Sequence, residues 1–188
     1  MRGARGATTE VAFLRAVNVG GRGTLKMADL ARLFEAAGCR DVRTYIQSGN
    51  VIFRPGAGQT HRAKAAKALA ALLGKEVAIA WRTLRELQAT RVAHPFGALT
   101  GDPDVKLYVG YLAAQPGKTP KLPLALPKEG LEILGAAKRD VFIVSRKVKG
   151  SYGFPNALVE RAFGVPATTR NWNTVTKVLA LAGEADET

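Results

Sequence analysis

Three polar segments hold the side chains best able to do chemistry. In the first, Asn18-Val19-Gly20-Gly21 is flanked by Arg15 and Lys26. Paired glycines let backbone amides turn toward an anion, and a helix N-terminus beyond them adds partial positive charge, so phosphate or carboxylate is what such a loop would hold. The spacing matches neither a P-loop nor a dinucleotide fingerprint, and paired glycines serve a plain tight turn as well. In the second, Gln47, Ser48 and Asn50 surround Gly49. Taken alone it reads as an ordinary turn in which Asn50 bonds the turn backbone. The third is Thr168-Thr169-Arg170-Asn171-Trp172-Asn173. Asn171 is a natural helix N-cap and Trp172 a natural core aromatic. Arg170 beside two amides and an indole is also a set that binds an anion or stacks on a base.

A further stretch, Lys149-Gly150-Ser151-Tyr152-Gly153-Phe154, suggests the aromatic strand motif of RNA-recognition domains. It carries an extra serine, and Pro155 with the helical pattern behind it puts the segment ahead of a helix rather than in a central strand, so it is not that motif. The enzymatic inventory is thin. His61 and His94 stand at a helix start and in a proline turn, without metal-ligand spacing or cysteine partners, so no metal and no cofactor are expected. Cys39 follows Gly38 at a helix end and reads as a small buried apolar residue. Ser48 lacks a nucleophile elbow, and no paired carboxylates occur in the polar segments. No reaction class follows, and whether the chain is an enzyme stays open.

These side chains must be placed by a chain of 188 residues with 47% hydrophobic content, ample for a core. The single cysteine cannot form an internal disulfide, which makes the cytoplasm the expected location. No apolar run is long enough for a bilayer and no signal peptide is expected, so no membrane partner follows. The net charge of +13 attracts polyanions, although dispersed Lys and Arg also simply solubilise an alanine-rich surface.

Strand spacing over 10–16, a glycine loop, and a helix over 27–37 with the stripe Leu30, Leu33 and Phe34, closed by Gly38, open the chain. Alternating runs at 42–47 and 50–54 predict a two-residue hairpin at Ser48-Gly49. A helix over 60–73 and a strand over 76–81 complete one β-α-β-β-α-β set. Thr83 is placed to cap a short helix through Arg91, and proline and glycine then mark a linker. The second set is less clear. A strand over 105–112 precedes four prolines in 115–127, where any helix is short. Paired strands at 131–134 and 141–145, a helix over 156–163, an extended 167–170 and a last helix over 172–181 ended by Gly183 follow. The expected fold is α+β: two tandem ferredoxin-like halves with an extra C-terminal helix. The expected divisions are a flexible tail over 1–9, a first half over 10–92, a linker over 93–104 and a second half over 105–188.

Four segments in order resemble one bacterial family, the uncharacterised domain of unknown function 1697. They are Phe13-Leu14-Arg15-Ala16-Val17-Asn18-Val19-Gly20-Gly21, Met27-Ala28-Asp29-Leu30, Thr44-Tyr45-Ile46-Gln47-Ser48-Gly49-Asn50 and Arg170-Asn171-Trp172-Asn173-Thr174-Val175. The resemblance implies a duplicated ferredoxin-like fold and a small cytoplasmic protein, with no established activity, substrate or catalytic residue. The chain departs from the family where members usually show a Ser-Lys-Leu-Thr-like stretch before Asn156. Here Tyr152-Gly153-Phe154-Pro155 stands instead.

The leading expectation is a binding module for nucleic acid or a phosphorylated small molecule. Arg15, Lys26 and Arg170 would meet phosphates, Asn18, Gln47, Asn50, Asn171 and Asn173 would add polar contacts, and Trp172 a stacking surface, with Gly20, Gly21 and Ser48 shaping the loops. An enzyme acting on a small anionic substrate between the halves is the alternative. A purely structural role for the same segments is the third.

Overall fold

The structure is a computed structural model that describes residues 8–15, 25–56, 58 and 60–186. Chain contacts group it into two compact units, Met1–Leu87 with Val178–Thr188, and Gln88–Lys177. The break falls ahead of 93–104, the stretch read as a linker, and the last residues group with the first unit. Among the described residues there are five α-helices and two antiparallel sheets, the α+β class that the spacing predicted.

In the first unit, β1 (Glu10–Leu14) is buried along its whole length. Next come α1 (Met27–Ala36), β2 (Arg40–Tyr45), β3 (Asn50–Arg54), α2 (His61–Leu73) and β4 (Ile79–Thr83). The sheet order is β2-β3-β1-β4 with antiparallel neighbours throughout. The stripe of α1 buries Leu30 and Phe34, with Leu33 packed against the same core as Ala12, Leu14, Val51, Phe53 and Leu69 of α2. The helix ends as its sequence predicts: Gly38 N donates to Glu35 O and Cys39 N to Phe34 O, the paired bonds of a Schellman ending, with Gly38 at φ 97°.

The hairpin is longer than its sequence suggests. Strand β2 stops at Tyr45, which pairs with Asn50, so four residues rather than two make the turn. The buried Asn50 amide is the reason: its Nδ2 donates to Tyr45 O at 2.8 Å and to Ser48 Oγ at 3.0 Å, closing the wider loop. Ile46 (φ 50°) and Gly49 (φ 79°) both take positive φ in the turn, and Gly49 O accepts from Leu14 N on β1. Thr83 caps α3 (Leu84–Val92). Its Oγ1 accepts from Glu86 N while Thr83 N donates to Glu86 Oε2, a reciprocal capping box.

The second unit contains β5 (Val105–Leu112), β6 (Leu124–Leu126), β7 (Leu131–Ala137), β8 (Asp140–Val148), the two-residue β9 (Ser151–Tyr152), α4 (Asn156–Phe163) and β10 (Ala167–Asn171). Its sheet order is β10-β5-β8-β7-β6, with β9 pairing β8. Between β5 and β7 no α-helix occurs among the described residues; β6 and a 3-10 turn at Pro127–Glu129 take the place of one. Pro116, Pro120, Pro123 and Pro127 explain this, since each lacks a backbone donor and clashes with a preceding helical turn. The single helix α4 lies so close to the sheet that a Cβ on Gly110 would press on both Val159 methyls, at 3.2 and 3.3 Å. The last helix, α5 (Trp172–Asp186), runs through Gly183 instead of ending there. Its buried row Val175, Val178, Leu179, Ala182 and Ala185 continues past the glycine, and that burial outweighs the roughly 1 kcal/mol a helical glycine costs.

Candidate functional site

The first polar segment, with Asn18, Gly20 and Gly21, lies outside the described residues. Its flanks are visible. Arg15 leaves the end of β1 with its amide bonded to Ala78 O and its side chain exposed. Lys26 precedes α1 in extended backbone, and its carbonyl accepts from Asp29 N and Leu30 N while its side chain faces out. Because Phe13 pairs with Asn50, Arg15 stands at the same end of the sheet as the hairpin turn, where Gln47 and Ser48 are exposed. Asn50 is fully buried and spends its amide on the turn.

The third segment is mostly folded inward. Arg170 on β10 is 7% exposed, and its Nη1 donates to Thr168 Oγ1 at 2.6 Å and to Thr169 O at 3.0 Å. Burial lowers the guanidinium pKa to about 10, and the nearby Tyr111 pulls it part of the way back. Asp140, opposite Tyr111 in the ladder, is also buried and accepts from Thr90 Oγ1 at 2.6 Å. Asn171 Oδ1 accepts from Asn173 N, the N-cap bond of α5. The Trp172 ring meets Phe96 edge-on at 5.2 Å, and Phe96 meets Phe142 at 6.0 Å, so the indole belongs to an aromatic cluster of its own unit. Asn173 is exposed.

Two constellations emerge that spacing alone did not single out. The first lies on the face of the second sheet that α4 covers further along. Strand alternation puts Lys106 and Tyr108 of β5 on that face, with Lys147 of β8, and β9 adds Tyr152. Lys106 Nζ lies 4.4 Å from the Tyr152 ring centre and Lys147 Nζ 5.6 Å from it. Beside them Tyr108 and Phe154 stand perpendicular with centres 6.1 Å apart, and Phe154 is 65% exposed. Ser145 Oγ donates to Gly153 O, which fixes the Tyr152–Phe154 strand to β8. Partial burial raises the Tyr108 phenol above its ordinary range, so it stays neutral. The alternation of Lys106 and Tyr108 was a usable signal; the pairing of β8 with β9 was not visible locally.

The second is in the first unit. Glu10 on β1 reaches the start of α2, where Arg62 grips both carboxylate oxygens, Nε to Oε2 at 3.0 Å and Nη2 to Oε1 at 2.8 Å. His61 Nε2 lies 3.2 Å from the same Oε2. Phe53 stands edge-on to the imidazole, and Trp81 lies beneath the Arg62 guanidinium at 5.6 Å. A cavity of about 540 Å³ opens here, lined by Glu10, Pro55, Gly56, Gly58, His61 and Arg62. Glu10 and His61 are 51 positions apart, so spacing could not join them. Cys39 is buried, and burial with the charge of Glu10 pushes its thiol up to about 11. Among the described residues no group of three or more His, Cys, Asp or Glu could hold a metal, and no helix is long and apolar enough to cross a membrane.

Together these features define a two-unit α+β protein with a carboxylate–imidazole–guanidinium cluster beside a cavity in one unit and a lysine–aromatic face in the other. The chain belongs to the family described as protein of unknown function (DUF1697), whose model matches residues 7–142. Among solved structures it is similar to the conserved bacterial protein SP0830 from Streptococcus pneumoniae, at 16% identity and a TM-score of 0.59, over 93% of this chain and 98% of that one. This likeness shows the fold. No curated protein matches.

Proposed function

We propose that the chain binds single-stranded nucleic acid, or the phosphorylated nucleotides that compose it, on the exposed face of the second unit. The observation that carries this reading is Tyr152 flanked by the Lys106 and Lys147 ammonium groups, next to the half-buried Tyr108 and the exposed Phe154. Aromatic rings offer stacking surfaces to bases of any identity, and adjacent lysines meet the phosphates between them. The net charge of +13 supports the same partner class. The face is open, as a polymer track requires, and includes the Tyr152-Gly153-Phe154-Pro155 stretch that replaces the family's usual sequence.

Of the polar segments read from sequence, the exposed Arg15, Lys26, Gln47, Ser48 and Asn173 stay candidate contacts to a phosphorylated ligand, each within its own unit, while Asn18, Gly20 and Gly21 lie outside the described residues. Arg170, Asn50, Asn171 and Trp172 are better read as holding the fold, a view favoured by the internal bonds of the first three and the aromatic cluster around Trp172. Anisotropy of a labelled oligouridine at low salt tests the function. Saturable binding is expected, with log affinity falling against log salt by about 0.7 per phosphate neutralised. Absence of saturable binding at low salt would sink it.

We infer in addition that both units are versions of one ferredoxin-like plan. Support comes from the orders β2-β3-β1-β4 and β10-β5-β8-β7, which coincide when β5, β7, β8 and β10 are taken as the first to fourth strands. The second version has lost its first helix. The lone buried thiol suits a cytoplasmic location.

A further inference from the structure

We propose that the lysine–aromatic face selects a terminal phosphate monoester beside one base, as at the phosphorylated end of a single strand, over an internal phosphodiester. The inference rests on the nucleic-acid reading above and narrows its ligand.

The backbone that carries the site is fixed before any ligand arrives. Ser145 is fully buried, and its Oγ donates to Gly153 O at 3.0 Å. A Cβ at Gly153 would stand 2.5 Å from Glu129 O and 2.9 Å from Leu131 Cγ, so only glycine lets this strand pass so close to β7. Tyr152 pairs with Lys147 of β8, and Pro155 is buried at the entry to α4. Tyr152 and Phe154 thus project from an ordered segment, and little further ordering is needed to bind there.

Two ammonium groups converge on one ring. Lys106 Nζ and Lys147 Nζ both lie within 5.6 Å of the Tyr152 ring centre. Both lysines are exposed, and neither has an ion pair or hydrogen bond among the described residues. The sheet supplies no carboxylate to answer them. Register places Leu131, Ile133, Ile143 and Ser145 on the face of the two lysines, and alternation turns Glu132 and Asp140 to the opposite one. Glu129, whose carbonyl lies against Gly153, forms no ion pair with either lysine. Like charges gathered on one ring repel each other, and an anion placed against both relieves the repulsion.

The rings divide the remaining work. An ammonium 4.4 Å from the Tyr152 centre occupies a surface on which a base would stack, so Tyr152 serves to hold the cations. Tyr108 is half-buried and stands perpendicular to Phe154. Phe154, 65% exposed, is the ring this face leaves open to a base. One open ring therefore adjoins one pair of cations.

Charge selects the ligand. An internal phosphodiester brings a single negative charge. A terminal monoester brings roughly −1.5 to −2 at pH 7 and three strong acceptor oxygens, which matches two ammonium groups. The open face lets the rest of a strand lead away from its bound end.

The test is calorimetry of the full chain with unlabelled hexauridine in three forms: 5′-phosphorylated, 3′-phosphorylated and hydroxyl at both ends. One phosphorylated form should bind about tenfold more tightly than the hydroxyl form, the worth of one charged contact. Which form it is tells which end the face holds, and uridine 5′- and 3′-monophosphates tell whether the end suffices without the strand. Lys106→Gln with Lys147→Gln keeps the aliphatic stems and should erase the preference. Phe154→Ala should weaken every form and leave the preference in place. Equal affinity for the three forms would overturn the proposal while leaving the nucleic-acid reading standing, and failure of all three to bind would sink both. A preference that survives the double lysine variant would also overturn it, by placing the end phosphate elsewhere. The comparison of ligands on the parent chain decides even without the variants.

Discussion

The two units each carry an antiparallel sheet and differ in what lies on it. In the first, α1 and α2 cover one face, and the core includes Phe34, Phe53 and Trp81 in mutual contact at 5.5 to 6.0 Å. In the second, α4 alone stands there, with β6 and the proline-rich segment that precedes it. A helix covering a sheet can enclose polar groups at its terminus, as α2 does with Glu10 and His61. On the second sheet Lys106, Lys147 and Phe154 are exposed beside the half-buried Tyr108. Four prolines are thus the sequence cause of the segment between β5 and β7 forming no α-helix, its Leu122, Leu124 and Leu126 packing on the core instead. An uncapped helix start adjoins the Glu10–His61–Arg62 cluster.

The largest effect expected comes from treating one residue type in both places. Phe53 is buried among three rings, and Phe53→Ala should destabilise by about 3–5 kcal/mol through lost burial and a residual cavity. Phe154→Ala should change stability by less than about 0.5 kcal/mol, because the ring is exposed. Urea unfolding followed by circular dichroism separates the two. Equal losses would mean that the second face is core rather than binding surface.

Phe154→Ala should instead weaken oligouridine binding by about 1–3 kcal/mol, the range for removing one stacking partner. Lys106→Ala with Lys147→Ala should lower the salt slope by about 0.7 for each phosphate that is no longer neutralised. Anisotropy at several salt concentrations reads both. If Phe154→Ala binds as tightly as the parent, the aromatic face is not the track.

A smaller effect separates enclosed from open titratable groups. Cys39 in the first unit has its thiol raised from 9.0 to about 11, mainly by burial. Above pH 9 the unfolded thiol ionises and the folded one does not, so the unfolded state binds fewer protons and stability falls as pH rises, until the folded thiol also ionises near 11. The loss should reach about 1 kcal/mol near pH 10. Urea midpoints at pH 8 and pH 10 compared with those of Cys39→Ala check it; an equal drift in both proteins would assign the fall to other groups.

Legibility from sequence divided along the range of the interaction. The α1 stripe with Gly38, the Thr83 cap and the proline-broken segment after β5 were readable, because each rests on residues within one or two turns. The hairpin length was misread, since the Asn50 amide rather than Ser48-Gly49 sets it. The end of α5 was misread because the buried row past Gly183 outweighs a local helix breaker. The Glu10–His61–Arg62 cluster joins a strand start to a helix start 51 positions on, a pairing made only by the sheet register. Rejecting 149–154 as an RNA-recognition strand was sound, since Ser151–Tyr152 pairs only at the margin of β8 ahead of α4. Its aromatic residues nonetheless gather with Lys106 and Tyr108, which lie over forty positions earlier in the chain.

The smallest effect tests whether the segment entering α5 holds the fold or meets a ligand. Asn171 Oδ1 caps the helix through Asn173 N at 2.9 Å. Asn171→Ala should cost about 1 kcal/mol, and Asn171→Ser close to nothing, because serine caps nearly as well as asparagine. If capping is the whole role, neither variant changes oligouridine affinity, and thermal melts rank parent and serine together above alanine. An affinity loss in Asn171→Ser at unchanged stability would return this segment to the binding surface. The ligand track would then extend beyond the lysine–aromatic face to the other side of the second sheet, where Arg170 and Trp172 lie.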